Sequence, residues 1–123
     1  MTGHRDYLDY LDDMVAAVTK ARQFVGGMTF DELVADDRTI FAAIRALEII
    51  GEASKRVPVV VRERHRSVPW RSMAGICDVV ILEYDRVDLD VVWRTLQEDL
   101  PAIQPLLDQV VEAERQTGDS GVS

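Results

Sequence analysis

One apolar stretch in the middle of the chain limits what this sequence can fold into. It runs from Trp70 to Trp93 and reads WRSMAGICDVVILEYDRVDLDVVW. The residues spaced for one helical face are Met73, Ile76, Cys77, Val80 and Tyr84. Other sides of the same helix carry Val79, Ile81 and Leu82, and only Asp78 interrupts the apolar run from Ile76 to Leu82. A helix that is apolar nearly all round is buried on more than one side.

Two surfaces could cover this excess of apolar side chains. A second copy of the chain could pack on the central helix, which predicts a homodimer with that helix at its interface. Alternatively, the last helix of the same chain could lie over Val79, Ile81 and Leu82. The sequence favours the homodimer, because a domain of 123 residues has little interior of its own.

The remainder of the chain also predicts helices. A seam of apolar residues runs from Asp6 to Val25, and Gly26-Gly27 ends that helix. A capping box at Thr29 and Glu32 starts a short helix, and Asp36 and Asp37 start the second long helix, which Pro58 ends. After a short helical link over residues 59–66 and the central helix, Asp88 caps a last helix that Pro101 and Pro105 bend. The predicted fold is all-α, an antiparallel bundle of four to five helices in one domain over residues 1–115, with a disordered tail over residues 116–123.

Composition excludes several classes of protein. No window reaches the roughly 18 uninterrupted apolar residues of a membrane span, and the N-terminus is too acidic for a signal peptide, so we expect a cytoplasmic protein. The single cysteine excludes an intrachain disulfide. With two histidines beside it, the chain offers no cysteine and histidine cluster for a metal. We therefore predict neither a metal nor another cofactor.

The charge is uneven along the chain. A net charge of -8 opposes sequence-blind binding to nucleic acid, which depends on neutralising phosphates. Residues 36–72 are nevertheless more basic than acidic, and they contain a basic band formed by Arg62, Arg64, His65 and Arg66. This band is either a solvated surface, the more common case, or a site for a phosphate or an acidic partner.

Three segments, AIRALEIIGEASKRV, SVPWRSMAG and EYDRVDLDVVW, give the chain its resemblance to a known family. In this order and at these separations they resemble the HepT family of HEPN-domain proteins, from Tyr7 to about Leu107. The resemblance implies an all-helical homodimer that acts as an endoribonuclease toxin on RNA. It also implies a partner, a small (minimal) nucleotidyltransferase antitoxin that is encoded beside the toxin.

The family signature is an arginine, four residues, a histidine, one residue and a tyrosine, and it falls here on Cys77, Leu82 and Tyr84. The tyrosine is kept, but the arginine and the histidine are not, and Asp78 stands where an asparagine usually follows the arginine. Histidine exchanges a proton near neutral pH and arginine holds a phosphate, whereas leucine does neither. A cysteine thiol with a pKa of about 8.5 is mostly uncharged, and a carboxylate repels phosphate.

Three functions remain open at this point. The chain could be a HepT-like toxin with a weakened nuclease site, or an inactive dimer that keeps only the contact with the antitoxin. It could also be a helical dimer with no role in nucleic-acid chemistry. The resemblance also makes Tyr84 a candidate for AMP attachment by the antitoxin, if its hydroxyl is exposed rather than packed in the core. Cys77 could equally be a small buried apolar residue.

Overall fold

The computed structural model describes residues 6–82 and 88–122, with side chains described for residues 6–76 and 88–117. All regular structure in this part of the chain is helical, so the predicted all-α class is confirmed. The central helix is one of seven α-helices described.

The first half of the chain begins and ends its helices at the predicted signals. Helix α1 (Tyr7–Phe24) is capped by the Asp6 side chain, which accepts the Leu8 N–H, and it stops before Gly27, whose φ is 79°. Helix α2 (Phe30–Val34) has the complete capping box of Thr29 and Glu32. Because such caps satisfy backbone N–H groups that have no partner inside the helix, they fix where each helix starts.

The next two helices lead to the central one. Helix α3 (Asp37–Arg56) starts at the Asp36 cap and ends before Pro58, as predicted. Helix α4 (Val59–Arg64) is two residues shorter than the predicted link, because His65 leaves helical geometry. Helix α5 (Trp70–Leu82) is the central helix, and it follows Pro69 directly.

The last part of the chain contains a π-helical turn that the sequence did not predict. Helix α6 (Leu89–Arg94) is capped by Asp88 and runs into π-helical residues Thr95–Asp99, and then into α7 (Leu100–Val122). The Leu100 N–H donates to the Thr95 carbonyl, the wide spacing of a π-turn. Pro101 has no N–H to continue the α-helical pattern at this point, so the helix widens rather than ends.

The helices pack as an antiparallel bundle with α3 in its middle. Helix α3 packs against α1 on one side and α5 on the other, and α1 also packs against α7. The hydrogen bond from Tyr7 to Glu114 and that from Gln104 to Thr19 show that α1 and α7 run in opposite directions. The core consists of side chains that are almost completely buried, among them Leu11, Met14, Val18, Leu33, Leu47, Ile50, Met73, Leu96, Leu100 and Leu107.

Helix α7 reaches far toward the C-terminal end. Its backbone is helical as far as Val122, whereas the sequence predicts a disordered tail from residue 116. Once a helix is nucleated, each added residue gains a hydrogen bond, and Glu112 to Gln116 are largely good helix formers. In the described part of the chain, no helix combines the length and the apolar character needed to cross a membrane.

Candidate functional site

The signature positions lie at the end of the central helix. The backbone of Cys77, Asp78 and Leu82 belongs to α5, but their side chains lie outside the described residues, as does all of Tyr84. Cys77 and Leu82 are five residues apart, which is about 7.5 Å along a helix axis. The predictions about these four side chains therefore remain predictions.

The start of α5 is fixed by a network of hydrogen bonds. The Trp70 indole N–H donates to the His65 carbonyl at 2.9 Å, and the Trp70 backbone N–H donates to the Val68 carbonyl at 2.9 Å. The Trp70 side chain is buried, so its ring anchors the turn between α4 and α5 to the core. The direction of α5, and with it the placement of the signature positions, follows from this anchor.

A buried carboxylate joins three separate parts of the chain to this turn. We call Tyr7, Arg64, His65 and Glu114 the Glu114 cluster. Glu114 is only 1% exposed, and its Oε1 accepts the Tyr7 hydroxyl at 2.9 Å and an Arg64 terminal nitrogen at 2.7 Å. Its Oε2 accepts Arg64 Nε at 3.2 Å and His65 Nε2 at 2.7 Å. Because an ionised carboxylate only accepts hydrogen bonds, His65 Nε2 must carry the proton.

The cluster favours the ionised form of Glu114. The Arg64 hydrogen bond is the largest cause that lowers the pKa of Glu114 from 4.5 to about 2, and the His65 and Tyr7 hydrogen bonds act in the same direction. Burial raises the pKa of Tyr7, and its hydrogen bond to the Glu114 carboxylate raises it further. At neutral pH, Glu114 therefore stays ionised and Tyr7 stays neutral. Groups that keep one protonation state are better suited to holding helices together than to exchanging protons in catalysis.

The structure divides the predicted basic band into two parts. Arg64 and His65 bind Glu114, so they are structural. Arg62 and Arg66 instead line an open groove of about 400 Å³, together with Arg71 from the first turn of α5. Two members of the band thus bind the buried Glu114 carboxylate, and the other two line a surface groove.

Sequence reasoning missed two members of these groups. Glu114 looks like any other glutamate on an amphipathic helix, and nothing in its neighbours marks it as buried. Arg71 was counted only as part of a basic region, although its position one residue after Trp70 could have placed it near the α4–α5 turn. Among the described residues, no group of histidine, cysteine, aspartate and glutamate is arranged to hold a metal ion.

Comparison with known proteins identifies the family. The family model described as "Ribonuclease HepT-like" matches residues 14–110. The "Probable ribonuclease HepT" of Thermococcus cleftensis is 42% identical over 100 residues, which cover 81% of this chain and 91% of that protein. The "Putative RNase" of Caldanaerobacter subterraneus subsp. tengcongensis is 33% identical over 106 residues, covering 86% of this chain and 95% of that protein. No solved structure matches the chain significantly.

The matched region extends from the middle of α1 into α7, so it contains the whole of the central helix and its signature positions. The relatives agree with the resemblance of the three sequence segments and with the all-α bundle. The chain belongs to the HepT-like ribonuclease family.

Proposed function

We propose that this chain is the toxin component of a toxin–antitoxin module, and that two copies form a cleft that binds RNA but cleaves it weakly or not at all. Membership in a ribonuclease family supports RNA as the substrate class. The observation that carries the proposal is that Cys77 and Leu82 occupy the arginine and histidine positions of the family signature on α5. The chain would then keep the fold of a ribonuclease without its proton-exchanging group.

The groove between α5 and α7 supports a homodimer. It measures about 300 Å³ and is lined mainly by apolar side chains from Pro69 to Ile76 on one side and from Asp99 to Ile103 on the other. The last helix therefore leaves part of the central helix uncovered at this end. A second copy that packed here would bury the apolar surface and bring the two sets of signature positions together.

We expect sedimentation at micromolar concentration to give twice the chain mass of 13.9 kDa. Ala102 is exposed in this groove, so Ala102→Glu should place a charge in the interface. Because an unpaired interfacial charge is costly, the dissociation constant of the dimer should rise at least about tenfold. Ala16→Glu, an equally exposed change on α1, is the control and should leave the dimer intact. A monomeric unaltered protein would contradict the homodimer.

The antitoxin part of the proposal concerns Tyr84. We expect a minimal nucleotidyltransferase encoded beside this chain to transfer AMP from ATP to the Tyr84 hydroxyl, with pyrophosphate leaving. The added negative charge would repel RNA. Acidic neighbours in the sequence, Glu83 and Asp85, would slow the approach of the triphosphate unless Mg²⁺ screened them.

Mass spectrometry after incubation with the antitoxin, ATP and Mg²⁺ tests this expectation. The adduct should map to Tyr84, disappear in Tyr84→Phe and persist in the matched variant Tyr10→Phe. An antitoxin that binds the chain but leaves Tyr84 unmodified would restrict this residue to a packing role. An antitoxin that neither binds nor modifies the chain would contradict the toxin–antitoxin assignment itself.

A further inference from the structure

We propose that the groove at the α4–α5 turn binds the phosphates of single-stranded RNA, at a site separate from the signature positions at the far end of α5. We call it the arginine groove, and it is lined by Val59, Arg62, Glu63, Arg66, Pro69, Trp70, Arg71 and Ser72. The choice of RNA as the ligand rests on the proposed function. The groove itself is inferred from the positions and charges of its lining residues.

The turn that carries the groove is fixed in place. Val68 and Trp70 are buried, and the backbone of the turn is tied by hydrogen bonds from Val68 and Trp70 to carbonyls within it. His65 connects this turn to the Glu114 cluster through its ring and to Trp70 through its carbonyl. The backbone that carries the arginine side chains is therefore rigid, and this lowers the entropic cost of binding a ligand.

Three guanidinium groups surround the groove, and one carboxylate opposes them. Arg62 donates from Nε to the Val57 carbonyl at 3.1 Å, which orients its two terminal nitrogens without occupying them. Arg66 and Arg71 are exposed, and neither forms an ion pair with an acid in the described part of the chain. With Glu63 as the acid, the local charge is positive on a chain whose net charge is -8.

The walls of the groove are apolar. The lining includes Val59, which is 58% exposed, together with Pro69 and the buried Trp70. The Trp70 indole N–H is already bonded to His65, so the ring offers an apolar surface and no free donor. Apolar walls lower the local dielectric constant, which strengthens a guanidinium–phosphate contact relative to one in open water.

Phosphate fits this arrangement better than a protein carboxylate for two reasons. Planar guanidinium groups form paired hydrogen bonds to carboxylates and phosphates alike, but the successive phosphates of one strand can use successive arginines. Arg71 also precedes Cys77 by six residues on the same helix, about 9 Å along its axis. One RNA strand can thus lie in the arginine groove and continue toward the signature positions.

The test measures the binding of a labelled, unstructured RNA of about twelve nucleotides, a length within the usual range of single-strand sites. The double change Arg66→Gln with Arg71→Gln should weaken binding about tenfold or more. A plot of the logarithm of the association constant against the logarithm of the salt concentration should become shallower, by about 0.7 in slope for each lost phosphate contact. Arg38→Gln with Arg45→Gln removes the same charge from exposed positions on α3 and is the matched control. Glu63→Gln should instead strengthen binding.

The outcomes separate this proposal from the proposed function. If the unaltered protein binds RNA and the groove variants bind it equally well, the arginine groove is overturned while RNA binding stands. If the unaltered protein does not bind RNA, both are overturned. If an acidic peptide such as polyglutamate binds more tightly than RNA with the same dependence on Arg66 and Arg71, the groove is a protein-docking site and the assignment to RNA is overturned.

Discussion

Replacing Cys77 by arginine and Leu82 by histidine is expected to give the purified protein the ability to cleave single-stranded RNA. The histidine would supply proton transfer, which contributes about 10² to 10⁴ in rate, and the arginine would hold the phosphate under attack. Changing Asp78 to asparagine as well should increase the rate further, because the carboxylate at that position repels the substrate. Product formation on a gel, with end-labelled RNA, measures the effect.

Each single change is a control for the pair. Cys77→Arg alone lacks the proton-exchanging group and Leu82→His alone lacks the cation, so each should cleave far more slowly than the double variant. Circular dichroism and sedimentation should show that the double variant keeps its helices and its oligomeric state. A folded double variant that leaves RNA intact would contradict the role assigned to these two positions.

Glu114→Gln is expected to cost about 3 kcal/mol of folding free energy, near the lower end of what breaking a buried ion pair costs. The Tyr7, Arg64 and His65 donors occupy both carboxylate oxygens, and an amide presents an NH₂ group to at least two of them. The Arg64 side chain is 44% exposed, so it can remain hydrated in the variant. This hydration limits the loss of folding free energy. Chemical denaturation measures the change. Glu112→Gln is the matched control, an exposed glutamate on the same helix, and it should cost almost nothing.

The pH dependence of stability provides an independent check on the same cluster. The pKa of Glu114 is about 2 in the folded protein and near 4.5 ordinarily, so the folded state favours the ionised form. Its contribution is full above the ordinary pKa and is lost as the pH falls from 4.5 toward 2, by up to about 3 kcal/mol. Glu114→Gln should lack this part of the acid sensitivity. An unchanged acid profile in the variant would contradict the assigned stabilisation.

The helices could be predicted from sequence because short signals mark their ends. The Gly26-Gly27 pair, the Thr29 capping box and the Asp36 and Asp88 caps each act within one turn of the backbone, so they operate whatever the rest of the chain does. The same reasoning placed Pro58 at the end of α3. Local rules were therefore sufficient for the order of the α-helices, although not for the π-helical turn Thr95–Asp99.

The features that escaped prediction depend on which helices meet. Glu114 is buried because α1, α4 and α7 meet around it. The sequence near Glu114 contains no signal that predicts this meeting of helices. The arginine groove likewise needs the turn between α4 and α5 to bring Arg62 and Arg66 next to Arg71. The π-turn before Leu100 is a compromise between Pro101 and continued packing of Leu96 and Leu100 in the core. Tertiary packing decided all three.

The signature positions are assigned by residue spacing from the family resemblance alone, and that assignment stays a prediction. The replacements matter chemically because neither leucine nor cysteine supplies both the proton exchange of histidine and the phosphate contact of arginine. The family membership of the chain and the replacement of these groups together support our proposal that the protein engages RNA with little power to cut it.

The most direct measurement of that claim is an RNA cleavage assay on the unaltered protein. Purified protein at micromolar concentration, incubated with end-labelled single-stranded RNA near neutral pH, is predicted to leave the RNA at full length while retarding it in a native gel. Efficient cleavage that follows the protein through purification and disappears in Tyr84→Phe would contradict the account, because it would show a working nuclease site without the arginine and the histidine.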